Sequence, residues 1–257
     1  MIVMRVPSGK KRNYKQMKIN IMFSPVNKDE LYFTGKTTVV IDVLRASTTI
    51  ITALSNGAKE VIPVATVEFA VKVSGGMFGG HTLLGGERNT HKIEGFALGN
   101  SPTEYEGRLI EDKSIVYFTT NGSKAIVKAK FSEKLLICSF NNLNAVAKQL
   151  ANLGKDVEIL CAGNNNLFSM EDSVCAGRLV KELISVKDNV ELSDSAKCAV
   201  ALNHSFGENI LTILKETEHG KLIASRGFED DLKICSELSI TNTVPFFNGN
   251  ALQSLKV

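Results

Sequence analysis

The 257-residue chain carries 30 basic and 27 acidic side chains, with 44% apolar and 22% charged residues, the balance of an ordinary globular protein with a sizeable core. No apolar run approaches the roughly 20 residues of a membrane span, no secretory signal is visible, and aromatic residues are not interleaved with basic ones, so neither a membrane nor a nucleic acid is expected as a partner. The net charge of +3 comes from residues 1–16, where Arg5, Lys10, Lys11, Arg12 and Lys15 stand without an acid; this basic extension reads as a poorly ordered tail ahead of a slightly acidic body at 17–257.

Along the body, short apolar runs alternate with amphipathic stretches, the mark of an α/β fold. Strands are predicted at 18–23 and 37–42, then a helix at 48–57 closed by Gly57. A strand at 61–64, a helix over about 66–74 and a strand at 82–86 follow. Strands at 115–120, 135–140 and 157–163 are each trailed by a helix, at 122–130, 143–153 and 171–186. Their near-continuous Val/Ile/Leu character predicts a largely parallel or mixed sheet flanked by helices. The part from 194 to 238 is mostly helical by pattern, a subdomain starting near 190 is allowed for, and 243–247 reads as an edge strand restricted by Pro245.

Five widely spaced cysteines, four of them among apolar neighbours, point to buried thiols in a reducing cytoplasm. His81, His91, His204 and His219 lack the spacing of zinc ligands.

In open α/β sheets ligands bind beyond the carboxyl ends of the strands, so polar residues there are the candidates. Asp42 ends an apolar strand and needs a cation or metal beside it; Arg45, Ser47, Thr48 and Thr49 suit a phosphate at the following helix start. A helix cap with an internal Asp–Arg pair explains the same residues. Glu87 and Arg88 follow Gly85-Gly86, and a long loop ends in Gly-Asn100-Ser101-Pro, either a polar cradle or a packed Ω-type loop. Thr119, Thr120, Asn121 and Gly122 form a hydroxyl-rich turn at a helix start, fit for an anion or merely a cap. Glu171 and Asp172 open another helix, as dipole partners or, together with Asp42 and Glu87, as oxygen ligands for Mg²⁺. His219 is a general acid, a phosphate ligand or a helix-end residue. Together these sites suggest a small phosphorylated or otherwise dianionic ligand with Mg²⁺.

The stretches IDVLRASTTI, GGER, EGFALGNSP, FTTNGSKAI, CAG and EDSVCAG, in that order, resemble the 2-phosphosulfolactate phosphatase family over nearly the whole body. The resemblance implies an α/β, Mg²⁺-dependent hydrolase that releases phosphate from 2-phosphosulfolactate, giving sulfolactate on the route to coenzyme M. It carries over Asp42, Arg45 and the hydroxyls after them, Glu87 and Arg88, Asn100 and Ser101, the turn 119–122, Glu171 with Asp172, and His219. The chain departs from the family pattern at Asn89 and Thr90, where glycine usually follows Glu-Arg, and at Ala97, where aspartate is usual. The expected roles are metal binding by Asp42, Glu87, Glu171 and Asp172, and charge stabilisation by Arg45, Arg88 and the 119–122 turn. Asp42 as a covalent nucleophile stays open beside water attack. The rival function is a non-catalytic binder of phosphorylated or sulfonated metabolites, and the possibility of a homo-oligomer is left open.

Overall fold

Five consecutive β-branched residues, Thr37 to Ile41, are buried along their whole length, as a strand must be when both faces of its sheet are covered. The structure, a computed structural model, describes residues 16–26, 28–77 and 82–255; the basic segment before residue 16, and His81, lie outside the described residues. In chain order the elements are β1 (Met17–Met22), β2 (Thr37–Ile41), α1 (Ala46–Ser55), β3 (Glu60–Pro63), α2 (Val67–Met77), β4 (Thr82–Arg88) and β5 (His91–Lys92). Then come α3 (Gly107–Ile110), β6 (Ser114–Phe118), α4 (Gly122–Lys128), β7 (Lys134–Cys138), α5 (Leu143–Leu153), β8 (Val157–Cys161), α6 (Met170–Val186) and β9 (Val190–Leu192). Four helices follow, α7 (Asp194–Phe206), α8 (Ile210–Glu216), α9 (Glu218–Ser225) and α10 (Glu229–Ser236), and the described chain ends in β10 (Pro245–Phe247) and β11 (Leu252–Ser254).

The fold is α/β, with a mixed sheet in the order β5-β4-β6-β3-β11-β10-β7-β2-β8-β1-β9 and a mostly helical C-terminal part. Two parallel sets, β4-β6-β3 and β7-β2-β8-β1-β9, are joined by the antiparallel hairpin β10–β11. The stretch predicted as an edge strand is therefore interior. The hairpin's pairing to the two sets is slight, Phe246 of β10 with Leu136 of β7 on one side and Leu252 of β11 with Val61 of β3 on the other. A crossing through single residue pairs tolerates Pro245, which has no N–H for a longer ladder.

Helices α1 and α4 share a core with strands of both sets, through Ile50, Ile126, Val40, Leu160, Val61 and Ile115. The opposite face of β1, β2, β7 and β8 packs on α5, α6 and the helices after residue 190, the latter through Ala199, Leu214, Ile223 and Leu232. Cys138, Cys161, Cys175 and Cys235 are buried and unpaired, while Cys198 is exposed. Among the described residues no helix is long and apolar enough to cross a membrane.

Helix α1 starts two residues before its predicted position. The carboxylate of Asp42 accepts the Ala46 amide and its carbonyl accepts the Ser47 amide, so the turn is wound up directly after β2. Gly57, at φ 93°, stands just past its C-cap as expected.

Candidate active site

Asp42 follows β2 directly and is only 6% exposed. Its Oδ1 accepts the Ala46 amide at 3.2 Å, and its own amide donates to Ser47 Oγ at 2.9 Å. Thr48 Oγ1 donates to the Val43 carbonyl at 3.0 Å and Thr49 Oγ1 to the Asn100 carbonyl at 2.9 Å. The three hydroxyls of the sequence motif thus meet the main chain, Ser47 and Thr48 within the turn and Thr49 across to the loop at Asn100.

Arg45 turns inward. Its Nη1 lies 2.5 Å from Asp231 Oδ2, Nη2 donates to the Thr90 carbonyl at 3.3 Å, and its Cζ sits 4.4 Å from the ring centre of Phe228. Ser101 Oγ donates to the second oxygen of Asp231 at 2.6 Å. The ion pair of the alternative sequence reading exists, but the acid is Asp231 of α10 rather than Asp42.

On β4, Glu87 is buried and Arg88 exposed, because neighbouring strand residues face opposite sides. Glu87 accepts the Thr120 amide on one oxygen and the Thr90 amide on the other, both at 2.7 Å, and clamps the turn after β6 to the turn after β4. Asn89 and Thr90 adopt φ of 53° and 70°, a left-handed conformation that glycine enters without cost, which gives a physical reason for glycine in the related motif. Thr90 Oγ1 is buried without a hydrogen-bond partner among the described residues. Gly122 opens α4 against the first turn of α1, where a Cβ would overlap Asp42 Oδ2 and Ala46 Cβ. Thr119 and Ser123 exchange amide-to-hydroxyl bonds at 2.8 and 2.9 Å.

Glu171 and Asp172 lie in the first turn of α6, capped by Ser169. Asp172 accepts the Val43 amide at 2.8 Å and the Gly163 amide at 3.1 Å, fastening the end of β2 to the end of β8. Burial and the charges of Asp42 and Glu171 push its carboxyl well up, against the pull of these amides. Glu171 Oε1 lies 3.5 Å from His219 Nδ1. Burial lowers the imidazole, but the hydrogen bond and charge of Glu171, with the charges of Asp42 and Glu87, hold it above its usual 6.5. Burial raises Asp42 to about 6, with Glu87 and Glu171 adding to the shift and His219 and the Ala46 amide opposing it.

Two cavities meet at His219 and Asn164. The smaller, of about 150 Å³, gathers Asp42 beyond β2, Glu87 of β4, Arg45 and His219. Asn100, Thr119, Thr120 and Asn121 complete the predicted residues along its wall. Asn100 is held by the Tyr117 hydroxyl on its side-chain oxygen. The larger cavity, of about 410 Å³, takes Glu171 as its share of the predicted set. Ser47, Thr48, Thr49, Arg88, Ser101, Gly122 and Asp172 line neither, and most of them support residues that do. Sequence reasoning passed over Asn164 and Asn165 on the wall, although an Asn run directly after a strand was a visible signal. It also passed over Arg226 and Asp231, whose helices carry no local mark of the cavity.

Among the described residues no three His, Cys, Asp or Glu side chains are grouped as a ready-made metal cage. Mg²⁺ is usually held by one or two carboxylates with water and substrate phosphate, and the donors fit that open kind of site. Asp42 Oδ2 has no hydrogen-bond partner among the described residues, and Glu87 lines the same cavity close enough to raise the Asp42 carboxyl. Asp172 lines neither cavity, its two oxygens being turned to the Val43 and Gly163 amides, and is poorly placed to join them.

A family model described as 2-phosphosulpholactate phosphatase matches residues 24–250. The chain is 40% identical over 229 residues, 89% of its length and 96% of the relative's, to a protein of Clostridium beijerinckii named "Probable 2-phosphosulfolactate phosphatase". Proteins of the same name from Clostridium botulinum and Caldanaerobacter subterraneus subsp. tengcongensis are 35% and 40% identical, over 93% and 82% of this chain and 100% and 87% of theirs.

Proposed function

The chain belongs to the 2-phosphosulpholactate phosphatase family and is a phosphoric monoester hydrolase; we propose that it acts on a small acidic 2-hydroxy acid phosphate, first of all 2-phosphosulfolactate, giving sulfolactate and phosphate. The observation that carries the proposal is the cavity of about 150 Å³ where acids, an arginine and a histidine from separate elements meet, a volume for a small phosphorylated acid. The relatives' names support 2-phosphosulfolactate as the substrate, and coenzyme M biosynthesis is the route proposed for its product. Free cysteines, four of them buried, accord with a reducing cytoplasm as its compartment.

Mg²⁺, held by Asp42 and Glu87, would supply a Lewis acid for the phosphoryl oxygens. Arg45, immobilised by Asp231 and Phe228, keeps a fixed positive charge at the cavity wall and stabilises charge on the group in transfer. Thr120 and Asn121 offer polar groups to the same cavity. Asp42 orients the attacking water. His219, whose protonated form is favoured by Glu171, gives its proton to the departing alkoxide. The test is Asp42→Asn, which should fold normally and lose about 10²–10⁴-fold in turnover. Activity near wild type would remove Asp42 from the mechanism.

A further inference from the structure

We propose that Arg226 is a specificity residue, binding the second oxyanion of the substrate, the carboxylate or sulfonate that is not transferred. The inference rests on the phosphatase reading and names what distinguishes one phosphomonoester from another.

Arg226 is the C-cap of α9, exposed, and on the wall of the 150 Å³ cavity. Its backbone N–H donates a hydrogen bond to the Ile223 carbonyl at 3.1 Å, and Ile223 is fully buried. Its guanidinium has no ion pair or hydrogen bond among the described residues. The cavity's other two basic side chains already face acids within the fold, Arg45 toward Asp231 and His219 toward Glu171. Asp42 and Glu87 face the same space, where Mg²⁺ held by them would serve the phosphoryl group and leave a second acid group unmatched. A substrate bearing a second acid group therefore needs a further positive charge at this wall, and Arg226 is the side chain with one to give. A guanidinium presents paired N–H donors that match a carboxylate or sulfonate edge, which lysine cannot do. A phosphomonoester without a second acid would make no use of it.

The experiment compares wild type, Arg226→Ala and Arg226→Lys on three substrates: 2-phosphosulfolactate, 2-phospholactate and isopropyl phosphate. A charge-assisted hydrogen-bonded contact predicts that Arg226→Ala raises KM for an acid-bearing substrate about 10- to 100-fold, with kcat little changed and isopropyl phosphate unaffected. Arg226→Lys should recover part of the loss. A loss on phosphosulfolactate alone assigns the sulfonate, and a loss on both acids assigns the carboxylate. An equal loss on all three substrates, or no loss on any, overturns the proposal. If wild type turns over none of them, the phosphatase reading fails separately, and calorimetric binding of 2-phosphosulfolactate then decides. Weaker binding by Arg226→Ala supports the role; equal binding, or no binding by either protein, refutes it.

Discussion

The guanidinium of Arg45 lies 2.5 Å from the carboxylate of Asp231, 186 positions along the chain, with both side chains almost fully out of water. The pair ties the turn after β2 to α10 and holds the charge of Arg45 at the edge of the cavity. A buried charge without its partner is expensive, so the pair is a point where stability and function are linked.

Removing Asp231 tests that link. Asp231→Ala leaves the Arg45 charge buried and unpaired, and should lower unfolding free energy by about 3–5 kcal/mol in urea titrations. Replacing both partners with apolar residues, Arg45→Met with Asp231→Leu, should recover most of the stability and none of the activity. Recovery of both would reduce Arg45 to a structural role.

Much of the sheet is legible in the sequence because its cause is local. The β-branched run of β2, the apolar run of β8 and the capped start of α6 each announce themselves. The interior position of β10 does not, since one residue pair with β7 and one bond-poor proline leave no distinctive pattern. The strand-end rule brought Asp42, Glu87, Asn100 and the 119–121 turn to one cavity, yet it could not tell a hydroxyl that faces a ligand from one that closes a turn. Ser47 and Thr48 do the latter, while Thr49 ties α1 to the Asn100 carbonyl. Arg226 was illegible because it reaches the cavity only through the packing of α9, and Asp231 because it reaches Arg45 only through the packing of α10.

Gly122 is fixed by contact rather than by backbone freedom. A methyl group at this position collides with Asp42 Oδ2 and Ala46 Cβ. Gly122→Ala should therefore cost about 1–3 kcal/mol of stability and displace the Asp42 carboxylate, lowering turnover more than Ala at an exposed α4 position such as Lys124. Unchanged stability and turnover would show that α4 yields without disturbing Asp42.

Thr90 carries a buried hydroxyl with no hydrogen-bond partner among the described residues. Thr90→Val keeps the branched shape and removes that atom, so unfolding free energy should rise by about 1 kcal/mol. A fall of similar size would mean that the hydroxyl is hydrogen-bonded in solution.

His219 gives a pH signature. Its pKa is raised above 6.5, so the protonated form persists to higher pH than in a free imidazole and is lost as pH climbs through the raised value. A general acid must be protonated to act, so kcat should fall on the alkaline side, and His219→Gln should flatten that limb while lowering the maximum by about 10²-fold or more. Glu171→Gln removes the main raising partner and should move the limb toward lower pH. A limb that stays put in both variants would assign it to another group.

The most direct measurement is phosphate release from 2-phosphosulfolactate by the purified wild-type protein, with Mg²⁺ and again after chelation. Hydrolysis is expected with Mg²⁺, abolished by chelation and restored when the metal is returned. Folded protein that releases no phosphate from 2-phosphosulfolactate, 2-phospholactate or phosphoglycolate in the presence of Mg²⁺ would contradict the account.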